Sequence, residues 1–116
     1  GDIISKLTLD EKVSLLSGKN FWESKDLKKV ALPSIFLSDG PNGLRKQAAA
    51  ADQLGLNPSI PATCSPTSAT SANSWDTSLL YQVGKAIGEE TRVAHVSVLL
   101  GPGINMKRNP RWVRNF

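Results

Sequence analysis

An aspartate and an arginine stand six positions apart in a glycine- and proline-rich stretch, residues 38–45 (SDGPNGLR). The Asp39 carboxylate can accept protons from two hydroxyl groups, and the Arg45 guanidinium offers a planar fork of N–H donors. The glycines and the proline shape a tight loop with little side-chain bulk. These residue types predict that Asp39 and Arg45 bind a ligand rich in hydroxyl groups.

Two short apolar runs are predicted to be strands, residues 35–37 directly before this loop and residues 96–100 later in the chain. Continuous apolar character is typical of strands that are buried on both faces of a parallel sheet. The second run ends in Gly101-Pro102-Gly103, so a loop follows each strand at its carboxyl end. Loops in this position are where ligand sites usually lie in barrel proteins.

The first helix is predicted over residues 7–18. Thr8 and Glu11 have the spacing of a capping box, and Gly18 is a usual helix terminator. An apolar stripe on one face completes the pattern, and it consists of Leu9, Val13 and Leu16. This pattern predicts a packing helix without chemistry of its own.

The second helix is predicted over residues 74–93, where Ser74 or Asp76 can provide the N-cap. Gly84 and Gly88 are four positions apart, which indicates that another element packs closely on that face. The order helix, strand, long loop, helix, strand, basic loop begins an alternating α/β pattern. A complete barrel takes about 250 residues, so the pattern predicts the N-terminal part of a TIM (β/α)8-type barrel, incomplete in this chain.

The composition predicts a folded protein: 116 residues, 40% hydrophobic and 21% charged, suit one small domain over residues 1–116 without an internal boundary. No run of 18 apolar residues is present, so we expect no membrane span. The first residues lack a signal-peptide pattern, and the single cysteine, Cys64, cannot form an internal disulfide. Both features favour a cytoplasmic location.

Several functional classes are disfavoured by what the sequence lacks. No His/Cys group has metal-ligand spacing, and residues 101–103 begin a dinucleotide fingerprint without completing it. We therefore expect neither a metal nor an organic cofactor. The only histidine, His95, sits at a predicted helix-to-strand junction and suggests a structural role, while the Glu89-Glu90 pair is expected to be solvated charge.

Five segments together resemble glycoside hydrolase family 3, the β-glucosidase and β-xylosidase family. Residues 7–12 (LTLDEK) are similar to its opening helix, and residues 38–45 to its first substrate loop. Further similarity lies in residues 60–67 (IPATCSPT), 74–76 (SWD) and 99–110 (LLGPGINMKRNP). The matches cover nearly the whole chain in the family's order and spacing, and they favour the β-glucosidase-like branch.

The resemblance implies a retaining β-glycosidase that acts on terminal β-D-glucosyl residues with two carboxylates, a nucleophile and an acid/base. Asp39 would hold hydroxyls of the terminal sugar, Arg45 would support that site, and Arg114 would also reach the sugar. Val113 departs from the family by replacing a usual glycine before Arg114. The nucleophile lies on a later strand in the family, so no catalytic residue is expected in this chain, which alone should be inactive.

The sequence leaves two alternative functions open. The chain could be a non-catalytic sugar-binding remnant that uses Asp39 and Arg45. Less favoured is a basic nucleic-acid-binding protein, because the net charge is +4 and four basic residues cluster near the end, namely Lys107, Arg108, Arg111 and Arg114. The expected partners are thus a β-glucoside and the rest of a parent chain, with no nucleic acid and no membrane.

Overall fold

A computed structural model describes residues 2–49, 56–104, 106 and 108–111 of the chain. Its elements alternate between helix and strand, with a long irregular connection between the first strand and the helices that follow. In chain order they are α1 (Leu9–Ser14), β1 (Leu37–Asp39), α2 (Ser68–Ala72), α3 (Thr77–Val93) and β2 (Val98–Leu100), with short 3-10 turns at Ile4–Lys6 and Lys28–Val30.

The capping box predicted for α1 is confirmed. The Thr8 hydroxyl accepts the Glu11 backbone N–H at 3.2 Å, and the Glu11 carboxylate accepts the Thr8 N–H at 2.8 Å. The helix ends at Ser14, earlier than predicted, because the next N–H groups bond three residues back: Leu15 to Lys12, Leu16 to Val13 and Ser17 to Ser14. The predicted packing stripe lies in solvent, with Leu16 88% exposed.

β1 and β2 form a parallel pair in which Leu37 lies opposite Val98 and Asp39 opposite Leu100. The strand predicted over residues 35–37 starts two residues before β1. Phe36 instead forms an isolated antiparallel bridge with Glu23, so the start of the apolar run pairs with the preceding loop. Asp39 is the last residue of β1, so its backbone is held by the pairing with β2.

Of the two predicted N-caps for α3, Ser74 and Asp76, the structure has Asp76, whose carboxylate accepts the Leu79 N–H at 2.9 Å. The helix ends in a Schellman motif, in which the His95 N–H bonds the Arg92 carbonyl and the Val96 N–H bonds the Thr91 carbonyl. His95 takes the left-handed position of that motif, with φ of 57°. The structural role predicted for His95 agrees with this geometry.

The two strands are not buried on both faces in this chain, and that prediction is wrong. Val98 and Leu100 of β2 are 37% and 46% exposed. A Cβ added at Gly84 or Gly88 would meet nothing within 4 Å, so the close packing predicted there is also absent among the described residues. The reason is that no further strand or helix of the described residues covers these surfaces.

The apolar core of the described residues is small. Leu7, Leu44 and Val96 are buried, together with the polar Ser38 and Thr91. None of the helices within the described ranges has the length and apolar character needed to cross a membrane. At the level of fold class, the structure confirms an α/β arrangement built on a two-stranded parallel sheet.

Candidate functional site

The loops that follow β1 and β2 touch each other at the carboxyl edge of the sheet. A Cβ at Gly101 would lie 2.6 Å from the Gly40 carbonyl oxygen, and a Cβ at Gly40 would lie 2.5 Å from a Leu99 methyl carbon. Real Cβ atoms do not come that close to their neighbours, so glycine at both positions permits the contact. The two loops thus form one surface, as expected for neighbouring parallel strands.

Asp39 and Arg45 are brought together at this edge. They form an isolated antiparallel bridge, with the Arg45 N–H donating to the Asp39 carbonyl oxygen at 2.8 Å. Residues directly opposite in an antiparallel bridge project their side chains to the same face. The half-buried carboxylate and the exposed guanidinium therefore share one side of the loop.

Ser38 holds the two ends of this loop together, a role that was not predicted from the sequence. Its side chain is 1% exposed, and its hydroxyl donates to the Arg45 carbonyl oxygen at 2.9 Å. The Asp39–Arg45 bridge is thus held by the backbone of Asp39 and by the side chain of the residue before it. The available signal was the strand alternation, which points Ser38 and Asp39 to opposite faces.

A second loop, residues 60–67, lies against the first. The Ser65 N–H donates to the Asn42 carbonyl oxygen at 2.7 Å. Gly43 has φ of 150°, and a Cβ there would collide with the Thr63 carbonyl oxygen. Gly43 is thus required both by its backbone angle and by the close approach of Thr63.

α3 anchors both loops through residues near its carboxyl end. The Glu90 carboxylate accepts the Thr63 backbone N–H at 3.0 Å and the Thr63 hydroxyl at 3.4 Å. The Lys46 ammonium donates to the Ala94 carbonyl oxygen at 2.6 Å, where a cation suits the helix end, and lies 4.8 Å from the Phe36 ring centre. The interpretation of Glu90 as solvated charge is therefore wrong.

Glu89 behaves as predicted, in contrast to Glu90. Its side chain is 69% exposed and lies 3.8 Å from the Lys85 ammonium, one helical turn earlier. Glu90 follows Ile87 by three positions and so lies on the helix face that turns toward the loops. That spacing identifies the helix face of Glu90 but not its partner in the loop.

An open groove of about 480 Å³ runs between these loops and α3. Apolar and small residues dominate its lining, among them Pro41, Pro66, Leu80, Ile87, Leu99 and Gly101. Neither Asp39 nor Arg45 lines it. The groove is therefore distinct from the polar face that the two side chains share.

Arg114, the third predicted binding residue, lies outside the described residues, as do Lys107 and Val113. Arg108 and Arg111 of the basic segment are exposed. Within the described ranges, no group of three or more His, Cys, Asp or Glu side chains could hold a metal ion. The free thiol of Cys64 is exposed.

Comparison with known proteins relates this arrangement to glycosidases. The chain is 50% identical over 114 residues to thermostable β-glucosidase B of Acetivibrio thermocellus, which matches 98% of this chain and 15% of that protein. It is 44% identical over 114 residues to an exo-α-(1→6)-L-arabinopyranosidase of Bifidobacterium longum, a match that covers 97% of this chain and 15% of that protein. No protein-family model matches the chain.

Solved structures extend the likeness to the fold. The glycoside hydrolase family 3 β-glucosidase of Bifidobacterium adolescentis superposes with a TM-score of 0.77 at 41% identity, covering 92% of this chain and 14% of that one. The β-glucosidase of Kluyveromyces marxianus in complex with glucose gives 0.80 at 34% identity, over 92% and 12%. Over nearly all of its length, the chain is thus homologous to part of glycoside hydrolase family 3 β-glucosidases. The predicted resemblance is confirmed, and the chain spans about 15% of the length of the curated relatives it matches.

Proposed function

We propose that this chain is the substrate-binding opening segment of a retaining β-glycosidase that releases terminal, non-reducing β-D-glucosyl residues. The observation that carries the proposal is the Asp39–Arg45 bridge at the carboxyl edge of a parallel strand pair. Homology to β-glucosidases over nearly the whole chain supports the reaction class. β-D-glucosides are the first substrates to test, and α-L-arabinopyranosides the second, because one relative is named for that activity.

The same proposal includes the architecture. β1 and β2 would be the first two strands of a TIM (β/α)8-type barrel, and residues 1–116 would form the N-terminal portion of that single domain. The parallel pairing and the helix α3 that lies between the strands in sequence support this placement. The exposed apolar side of β2 is the surface that later strands would cover.

In the proposed reaction this segment binds and orients the sugar. Asp39 accepts hydroxyl protons and Arg45 donates to hydroxyl oxygens, with Arg114 as a third binding group. Such hydrogen bonds contribute to rate when they strengthen as the sugar ring approaches an oxocarbenium-like state. The nucleophile and the acid/base would come from the remainder of the parent enzyme, so Asp39 performs no covalent chemistry.

Asp39→Ala in the complete enzyme tests the binding role. We expect kcat/KM for an aryl β-glucoside to fall about 100- to 1,000-fold, because the lost contacts matter most in the transition state. Asp10→Ala, an exposed carboxylate on α1, is the control and should leave kcat/KM unchanged. A normal kcat/KM in folded Asp39→Ala enzyme would refute the assignment.

The purified 116-residue chain is expected to hydrolyse no aryl β-glucoside, since the nucleophile is proposed to lie elsewhere. The measurement is aryl alcohol release over many hours by protein from which contaminating glycosidases have been removed. A preparation of the Asp39→Ala chain, purified in parallel, reports any contaminating activity. Turnover by the unsubstituted 116-residue chain above that background would mean that a nucleophile is present in these residues.

A further inference from the structure

A chain of contacts leads from α3 to the Asp39 loop. It starts at the Glu90 carboxylate, whose two oxygens lie 3.0 and 3.3 Å from the backbone nitrogen of Thr63. The Thr63 carbonyl packs against Gly43, where no side chain fits. Gly43 stands two positions before Arg45, which pairs with Asp39.

A second contact joins the same two loops. The Ser65 N–H donates to the Asn42 carbonyl oxygen at 2.7 Å, directly beside the Thr63–Gly43 approach. With both contacts made, residues 60–67 form a wall against the turn that joins Asp39 to Arg45. The position of Thr63 therefore limits where that turn can lie, and the Glu90 carboxylate is the hydrogen-bond partner of the Thr63 backbone N–H and hydroxyl.

We propose that Glu90 is a positioning residue for sugar binding, acting through Thr63 and Gly43 on the Asp39–Arg45 pair. The inference rests on the proposed function for its kinetic consequence, although the contacts themselves do not. A carboxylate suits this role because it accepts the Thr63 N–H and hydroxyl together, and charged acceptors form the stronger hydrogen bonds. Misplacement of a binding group by about 1 Å can cost about 100-fold in rate.

The structural part is tested in the complete enzyme by transverse-relaxation-optimised amide NMR. Glu90→Ala should shift the backbone resonances of Thr63, Gly43 and Arg45, whereas Glu89→Ala should not, because Glu89 faces solvent. If Glu90→Ala shifts the Thr63 resonance but leaves those of Gly43 and Arg45 in place, the coupling between the loops is absent and the inference is wrong.

The kinetic part is tested in the complete enzyme by a double-mutant cycle. Glu90→Ala should lower kcat/KM about 10- to 100-fold, and Glu90→Gln, which keeps one acceptor oxygen, should recover most of the loss. In an Asp39→Ala background the effect of Glu90→Ala should largely vanish, because both changes remove the same interaction. A purely structural role would lower the unfolding temperature and give additive kinetic effects.

The outcomes separate the two proposals. If Asp39→Ala has no effect on kcat/KM, the proposed function of the site fails while the NMR result still stands for the loop contacts. If Asp39→Ala is impaired but Glu90→Ala has normal kcat/KM, the positioning role fails and the sugar site remains.

Discussion

Backbone conformation at single residues decides several features of this protein. Gly43 needs its φ of 150° and the space that a Cβ would fill, so its identity is required by the loop contact with Thr63. His95 has a left-handed φ of 57° although it carries a side chain. For residues other than glycine that conformation costs roughly 1–2 kcal/mol, so the backbone at His95 is strained.

His95→Gly is expected to stabilise the chain by about 1 kcal/mol, since glycine reaches the left-handed region without the Cβ penalty while keeping the Schellman bonds. Urea denaturation of the 116-residue chain measures the change in unfolding free energy. Ala94→Gly is the matched control: Ala94 has an ordinary φ of −79°, so glycine there should destabilise. A loss of stability in His95→Gly would mean that the imidazole makes a stabilising contact.

Among the secondary-structure elements, α1 depends for its stability on the capping interactions at its N-terminus. The Thr8 backbone N–H, and next the Lys29 ammonium, hold the pKa of the Glu11 carboxyl below its ordinary value of 4.5. A lowered pKa in the folded state means that the ionised carboxylate stabilises the fold above about pH 4.5. That contribution is lost as the pH falls from there through the lowered folded-state pKa.

The Glu11→Gln variant should therefore be less stable than the unsubstituted 116-residue chain near neutral pH. The difference in unfolding free energy should shrink as the pH is lowered below 4.5. Unfolding free energies from urea titrations between about pH 3 and 7 would measure it. Lys12→Gln removes a charge from the same helix without an acid-titrating group and serves as the control. A Glu11→Gln difference that stays constant over this range would show that the capping carboxylate is not the cause.

For the whole molecule, the balance of buried and exposed surface is unusual. The described residues bury few apolar side chains, while β2 and α3 expose leucines and valines, with Leu100 46% and Val93 80% exposed. Exposed strand edges and apolar patches promote association. In the proposed parent enzyme, further strands and helices would cover them.

We expect the isolated 116-residue chain to self-associate as its concentration rises, and sedimentation velocity over a hundredfold concentration series would measure it. Leu100→Lys places a charge on the exposed side of β2 and should weaken the association, since lysine at strand edges opposes pairing. A monomer at high concentration would contradict this prediction and would mean that the exposed surfaces need no partner.

The local features and the family were predictable from the sequence. The Thr8–Glu11 box, the Asp76 cap and the motif of residues 38–45 each depend on residues close together in the chain, so their types and spacing were enough. The exact strand limits were not predictable in this way, because Phe36 forms a bridge with Glu23 of the preceding loop while its carbonyl oxygen accepts the Val98 N–H.

The contacts that hold the site together join residues far apart in the chain. Lys46 reaches the Ala94 carbonyl across 48 positions, and Glu90 reaches Thr63 across 27. No local pattern encodes such pairs, because they exist only once the strands lie parallel and α3 packs beside the loops. The same folding step brings Gly40 against Gly101, and so places the Asp39–Arg45 loop where two strands end.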